Sequence, residues 1–269
     1  HFINQNRRDQ RTEGLQNLKL NIDFTPNERN SFSFEALGNI ESQDNDETLY
    51  TQINTNTNSF FSNARRHSLE LERSKVGELA FAYERKFTDE RKSLNTSLTS
   101  SFNKHKENTN IDTYNYNEYQ QQIDDFSLQR THNYEHENIS NAIVNYGFPI
   151  SEKSIIETGY KGTFRFFNSD FESADRINGE YIINSLSSNS FHYNEQINAV
   201  YGLFNSFAGE KENPKWKYNF GLRAEQVTNN GKTKTIFPLI FFFITNIKTR
   251  FFFTKKIAKP STNNRNLLY

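Results

Sequence analysis

Along most of this chain, hydrophobic and polar residues alternate with a period of two, the signature of strands with one apolar and one polar face rather than of helices. Leu18, Leu20, Ile22 and Phe24 keep one parity. Thr25 to Asn30 supplies turn chemistry, and Phe32, Phe34 and Ala36 resume the alternation, which predicts a hairpin. The unit returns as Leu79, Phe81 and Tyr83, a turn around Thr88 to Lys92, then Leu94, Thr96, Leu98, Ser100 and Phe102. A third copy runs through Ala142, Val144, Tyr146 and Phe148, turns over Pro149 to Ser154, and comes back as Ile156, Thr158, Tyr160, Gly162, Phe164 and Phe166. A fourth pairs Phe191, Tyr193, Ile197, Ala199, Tyr201 and Leu203 with Trp216, Tyr218, Phe220, Leu222 and Ala224. The last pair is Ile236 to Ile244 and Thr249 to Ile257 around Asn246.

These strands are expected to run about 10 to 15 residues, longer than those of globular sheets and long enough for a tilted crossing of a bilayer. The opposite parity is strongly polar, as in Lys19, Asn21 and Asp23, Lys161 and Arg165, or Arg223 and Glu225. A barrel with lipid on one side of each strand and water on the other requires that arrangement, which places Tyr160 and Phe220 against lipid near mid-strand. Short turns near 26–30, 88–92, 151–154 and 246–248 alternate with long polar stretches near 42–66, 104–138 and 168–190. Short periplasmic turns and long extracellular loops give the same alternation, so Phe207 to Lys215 is assigned to the periplasm and Asn229 to Lys234 to the outside. The reading is all-β: an antiparallel transmembrane β-barrel segment of about ten strands over residues 1–269, and such strands must close on themselves or belong to a larger closed barrel.

Composition sharpens this picture. A mean hydropathy of −0.87 suggests a soluble or disordered chain, yet 26 Phe and 13 Tyr are too many rings to leave in water. No apolar run approaches the roughly 18 residues of a helical span; the longest, Ile236 to Ile244, is too short. Lys and Arg number 32, as do Asp and Glu, so no global field recruits nucleic acid. Absence of Cys excludes disulfides and thiolate chemistry. The chain starts at His1 and contains no Met, and sequence is expected to be missing at both ends.

Few residues suggest chemistry. His132 and His136, with Glu135 and Glu137 beside them, have metal-ligating side chains, but in a strand the two histidines share a face with no third ligand fixed, and a solvated loop is the plainer reading. Asp44 to Glu47 offers oxygen ligands for calcium without the glycine and spacing of a dedicated loop. Arg223 and Glu225 fit a lumen charge network better than a ligand site. Tyr193, Tyr201, Trp216 and Tyr218 suit the girdle where amphipathic rings meet the membrane interface. No nucleophile elbow, zinc-protease spacing or phosphate-cradling loop occurs, so no catalytic, metal or cofactor residue is assigned, ligand-binding residues are left open, and no enzyme activity is expected.

Tyr218-Asn-Phe-Gly-Leu-Arg-Ala-Glu225, a polar segment with Asn229-Asn-Gly231, Phe237-Pro238 and Lys255-Lys-Ile-Ala-Lys-Pro-Ser261 resemble, in that order, the outer-membrane β-barrel family of TonB-dependent receptors of Bacteroidetes type. Leu79 to Phe87 and Tyr146 to Pro149 agree more weakly. Lys stands for Arg at 255, 256 and 259, and Phe241 to Phe243 and Phe251 to Phe253 break the alternation. The resemblance implies a barrel of about 22 strands, of which this chain is roughly half, in the Gram-negative outer membrane. It implies a plug domain of the same receptor, an inner-membrane TonB complex that energises uptake, and a small ligand of unknown identity as partners, besides outer-membrane lipid. Two other readings stand beside it: a small passive channel of about ten strands complete in this chain, and a soluble surface β-protein that binds glycans or proteins through its loops.

Overall fold

A computed structural model describes residues 2–54, 60–123, 126–210, 214–234 and 240–257, the last by its backbone path. These residues form β1 (Phe2–Asn27), β2 (Asn30–Asn54), β3 (Phe60–Lys86), β4 (Ser93–Tyr116), β5 (Ser127–Ser151), β6 (Ser154–Ile177), β7 (Glu180–Ile183), β8 (Asn189–Gly209), β9 (Pro214–Lys234) and β10 (Ile240–Ile257). Each long strand pairs antiparallel with the next long strand in sequence, and the short β7 folds back onto β6. Among the described residues β1 and β10 form the two edges of one sheet.

Register fixes the two faces, because residues directly opposite one another share a side. Leu20, Ala36, Leu79 and Ser100 form one such row, and Ile22, Phe34, Phe81 and Leu98 the next. The belt continues through Ala142 to Gly162 and Val144 to Tyr160 and Val200. Exposure shows which way it points. In β4 the even residues from Phe102 to Asn110 are all exposed, whereas of the odd ones between them only Asn103 is, and in β8 His192, Asn194, Gln196 and Val200 are open while Ala199 is buried. The apolar parity is thus the convex, lipid-facing side, and the concave side crowds its groups together. From Ile156 to Phe166 the belt rises roughly 25 Å along the membrane normal, given about 3.3 Å per residue and a tilt near 40°, which is the height of an outer-membrane apolar band.

Four expectations from the alternation are corrected. First, the strands are far longer than 10 to 15 residues: β3 has 27 and β1 has 26. The stretches 42–66, 104–138 and 168–190 are mostly strand, and the connections shrink to 55–59, which lies outside the described residues, to 117–126, and to the β6–β7–β8 corner. Above the bilayer both faces are wet, so apolar alternation disappears while backbone pairing continues. Second, there is no turn at 246–248. β10 runs unbroken beside β9, with Asn246 opposite Val227, and Asn229 to Lys234 is part of β9 instead of a loop. The two last predicted strands are therefore one, and the count reaches ten only through β7; Ile236 to Leu239 lies outside the described residues.

Third, the lipid-facing parity of β8 is the reverse of the one read from sequence. Val200 lies opposite Tyr160 and Ala224, and Gly202 opposite Leu222, so Ile197, Ala199, Tyr201 and Leu203 point inward. Both parities of β8 contain apolar residues, and its neighbours' register decides between them. Fourth, Tyr193 and Tyr201 are consequently not in the girdle, whereas Trp216 and Tyr218 are on the outward parity near the short turns. On the same outward face near the short turns, Phe32 stacks on Tyr83 with centroids 4.7 Å apart, and Tyr146 stacks on Phe148 at 5.6 Å.

Candidate functional site

The inward face is a lattice of polar side chains held by cross-strand pairing. Lys19 and Glu35 form an ion pair of 3.0 Å between β1 and β2. Asn141 joins three strands, donating to Thr99 Oγ1 at 3.2 Å and accepting from Thr163 Oγ1 at 2.8 Å. Arg165 reaches Glu137 at 2.5 Å. Such groups sit naturally at odd positions of β4 to β6, because every second residue of a strand faces the water side.

One connected cluster on this face is built by β5, β6, β8 and β9. The Tyr201 hydroxyl donates to Asn145 Oδ1, and the Arg223 guanidinium lies 5.9 Å from the centre of the Tyr201 ring. Arg223 also pairs with Glu225 at 2.7 Å. Gly159 makes the arrangement possible, since a Cβ there would stand 2.5 Å from Tyr201 Cζ and 2.7 Å from Asn145 Oδ1. The Arg223–Glu225 pair expected from sequence is therefore present, and Tyr201, assigned to the lipid interface by its alternation, is its aromatic neighbour. A signal for this was available in the two glycines that face Tyr201's strand, Gly159 and Gly221, which leave room for a ring on the inner side.

The two metal candidates come apart on inspection of the faces. His132 and His136 point outward from β5, while Glu135 and Glu137 point inward; His132 Nδ1 contacts Asn108 Oδ1, and His136 meets the Phe166 ring edge-on at 5.8 Å. Asp44 and Asp46 are on one face of β2 and Glu47 on the other. Each carboxylate is taken by a side chain of a neighbouring strand: Asp44 by Arg73 at 2.6 Å, Asp46 by His67 Nε2 at 2.9 Å, Glu47 by Arg7 at 2.6 Å. Farther up the inner face, Glu70 shares its surroundings with Glu72. A hydrogen bond with Glu72, partial burial and repulsion from Glu72 hold the Glu70 carboxyl above the usual carboxylate range, against the pull of Arg11.

An extracellular corner completes the assembly. Asn178 and Gly179 have φ of 53° and 91°, so both central residues of the β6–β7 turn are left-handed, as a two-residue hairpin of type I′ requires. Beyond β7, Asn184 accepts from the backbone N–H groups of Leu186 and Ser187 and donates through Nδ2 to Asp175 at 3.1 Å. Arg130 lies 4.5 Å from the Tyr181 ring centre and ties the corner to β5.

The sequence matches the outer membrane protein beta-barrel family over residues 85–253, well over half of the chain. No curated protein matches it. Among solved structures, the ferric citrate transporter FecA in its unliganded form is 11% identical with a TM-score of 0.31, over 88% of this chain and 40% of that one. The outer membrane protease OmpT of Escherichia coli is 9% identical with a TM-score of 0.27, over 94% of both chains. OccK1 of Pseudomonas aeruginosa is 8% identical with a TM-score of 0.14, over 92% of this chain and 98% of that one. The chain thus spans well under half the length of the ferric citrate transporter. By its family match, this chain belongs to the outer membrane protein beta-barrel family, and its strands lie in the Gram-negative outer membrane.

Proposed function

We propose that this chain is a barrel segment of a TonB-dependent receptor, which carries a small ligand across the outer membrane without catalysing a reaction. The observation that carries the reading is the sheet itself. Nine long strands leave β1 and β10 as edges, and a strand edge within lipid must find a partner. Further strands that complete a larger barrel satisfy both edges, and a lumen of that width needs a plug. The polar lattice around Tyr201, Arg223 and Glu225 is the surface such a plug would contact. The residues quoted from Tyr218 to Ser261 support the same choice by resemblance.

A passive channel is the second reading, because barrels of as few as eight strands close; nine close only with β1 and β10 meeting as a parallel pair or with one further strand between them. The two differ in energy supply. A strain lacking the gene is compared with its parent for growth on iron, peptide and oligosaccharide sources, with and without depletion of the TonB complex. The receptor reading expects that the source lost on deletion is also lost on depletion. Uptake that continues in depleted cells refutes it and leaves the channel.

A further inference from the structure

We infer that a cavity on the outer flank of the sheet, well above the membrane, is a binding site for a neutral oligosaccharide taken from solution. Two adjoining register rows of outward side chains frame it. Asn4 lies opposite Gln52, Gln52 opposite Asn63 and Asn63 opposite Tyr116. One step lower, Asn6 lies opposite Tyr50, Tyr50 opposite Arg65 and Arg65 opposite Tyr114. Among these rows is a cavity of about 470 Å³, within the range of small-molecule sites, with Gln120 of the loop after β4 in its wall. The Arg65 guanidinium is set by aromatic contacts: it lies 5.8 Å from the Tyr114 ring centre, and Tyr114 stacks on Phe126 at 5.4 Å.

Three residues of this wall are held against the stability of the chain. Nε of Arg65 and Oδ1 of Asn63 are shielded from water and have no hydrogen-bond partner among the described residues, although buried polar atoms are nearly always paired. Gln120 has φ of 60°, in a tight turn closed by its N–H donating to Asn117 O at 3.1 Å, and glycine is the residue that fills such a left-handed position most readily. The loop around it is firmly tied, since Asn117 Oδ1 accepts from the backbone N–H groups of Tyr119 and Gln121, both at 2.9 Å. Local rules broken three times around one cavity point to a bound partner that uses these groups.

The chemistry of the wall selects the ligand. It contains two tyrosines, five carboxamides, one guanidinium and no carboxylate. A carboxamide donates and accepts side by side, as neighbouring sugar hydroxyls do, and a tyrosine ring offers a flat apolar face to the C–H side of a sugar. A cationic ligand would find no acid to pair with. An extended peptide adds to a free sheet edge, whereas β2 and β3 are already paired on both sides. Position excludes the membrane and the lumen. Tyr116 is the last of the 24 residues of β4, so it stands roughly 60 Å along the membrane normal from the short turn at the foot of that strand, more than twice the height of the apolar belt. The cavity is on the outward parity, so it is independent of the receptor reading and of what the barrel carries.

The test is saturation-transfer NMR on the full-length protein in a detergent without sugar headgroups. Maltohexaose, cellohexaose, xylohexaose and mannohexaose are titrated separately, as is polysaccharide released from the outer-membrane lipid of the same cells. Gln120→Gly, Asn63→Ala and Tyr116→Ala are compared with Tyr134→Ala, which removes a tyrosine of the same outward face outside the cavity. At least one of the four oligosaccharides should bind. Gln120→Gly relieves the left-handed position and Asn63→Ala removes the unpaired acceptor, so both should keep or raise the melting temperature while weakening that oligosaccharide about fivefold each. Tyr116→Ala should weaken it about tenfold, and Tyr134→Ala should stay within about twofold of the parent. Binding of none of the four, binding confined to the lipid-derived polysaccharide, equal loss in Tyr134→Ala, or undiminished binding by both Gln120→Gly and Asn63→Ala each overturns the proposal.

Discussion

Charge introduced into β8 separates the two possible parities of that strand. Val200 is 57% exposed, lies opposite Tyr160 and Ala224 in the middle of the belt, and therefore meets acyl chains. Ile197, three residues away, lies opposite Thr163 and Val227 on the inner face. An arginine at the bilayer midplane on the lipid side of a barrel costs about 2 to 4 kcal/mol, and the same residue in a wet lumen costs on the order of 1 kcal/mol or less. Val200→Arg should therefore lower the unfolding free energy by about 2 to 4 kcal/mol and Ile197→Arg by no more than about 1 kcal/mol. Chemical unfolding of the protein in phospholipid vesicles, followed by tryptophan fluorescence, measures both. A larger loss for Ile197→Arg than for Val200→Arg would refute the register assignment and restore the parity suggested by Tyr193, Ile197, Ala199 and Tyr201.

Three further outcomes follow from the inner face, the extracellular corner and a periplasmic turn. Tyr201→Phe deletes the donor to Asn145 and should cost about 0.5 to 1.5 kcal/mol, while Gly159→Val, which drives a side chain into the Tyr201 ring, should cost about 1 to 3 kcal/mol. In the Tyr201→Ala background the Gly159→Val penalty should largely vanish, and an undiminished penalty would show that the two residues do not meet. Gly179→Val strains a position with φ of 91° by about 1 to 3 kcal/mol and should speed protease cleavage near 178–188 without changing barrel stability; unchanged cleavage counts against the turn. In the turn between β3 and β4, hydrogen bonds from the Arg91 side chain and backbone hold the half-buried Asp89 carboxyl below its ordinary 3.8. A lowered folded pKa contributes stability above the ordinary value and loses it as pH falls through the folded one. Titration of Asp89 by carboxyl NMR should find a midpoint below 3.8, and Arg91→Ala should raise it; a midpoint unmoved by that substitution contradicts the contact.

Much of the fold was legible because lipid imposes a simple rule. In the belt, β1 to β6 alternate cleanly, and the parity read from Leu18 to Phe24, from Leu79 to Tyr83 or from Ile156 to Phe166 is the one the register gives. The rule lapses where its physical cause does. Above the membrane, His67, Asp46 and Asp112 occupy the outward parity as comfortably as Leu69 does, since both faces are in water and only backbone pairing defines the strand. A polar run such as Asp44 to Glu47 then reads as loop although every residue of it is paired. One local signal did survive there: Asn178-Gly179 is the strongest two-residue hairpin sequence, and it marks the β6–β7 turn within a stretch otherwise read as an unbroken loop.

The candidate site was less legible than the fold, for a reason visible in Tyr201. Its neighbours Ala199 and Leu203 are apolar, so alternation alone sends all three toward lipid. What turns them inward is small residues on adjoining strands: Gly159 and Gly221 lie opposite Tyr201 and Leu203. Space, rather than polarity, selects the face, and space is a property of the pairing register that one strand's sequence does not contain. The same holds for Asn63 and Tyr116. Each lies in a polar stretch with nothing to single it out, and only the register that sets them side by side makes one cavity wall from residues far apart in the chain. Sequence periodicity therefore locates the membrane, whereas register locates the chemistry around it.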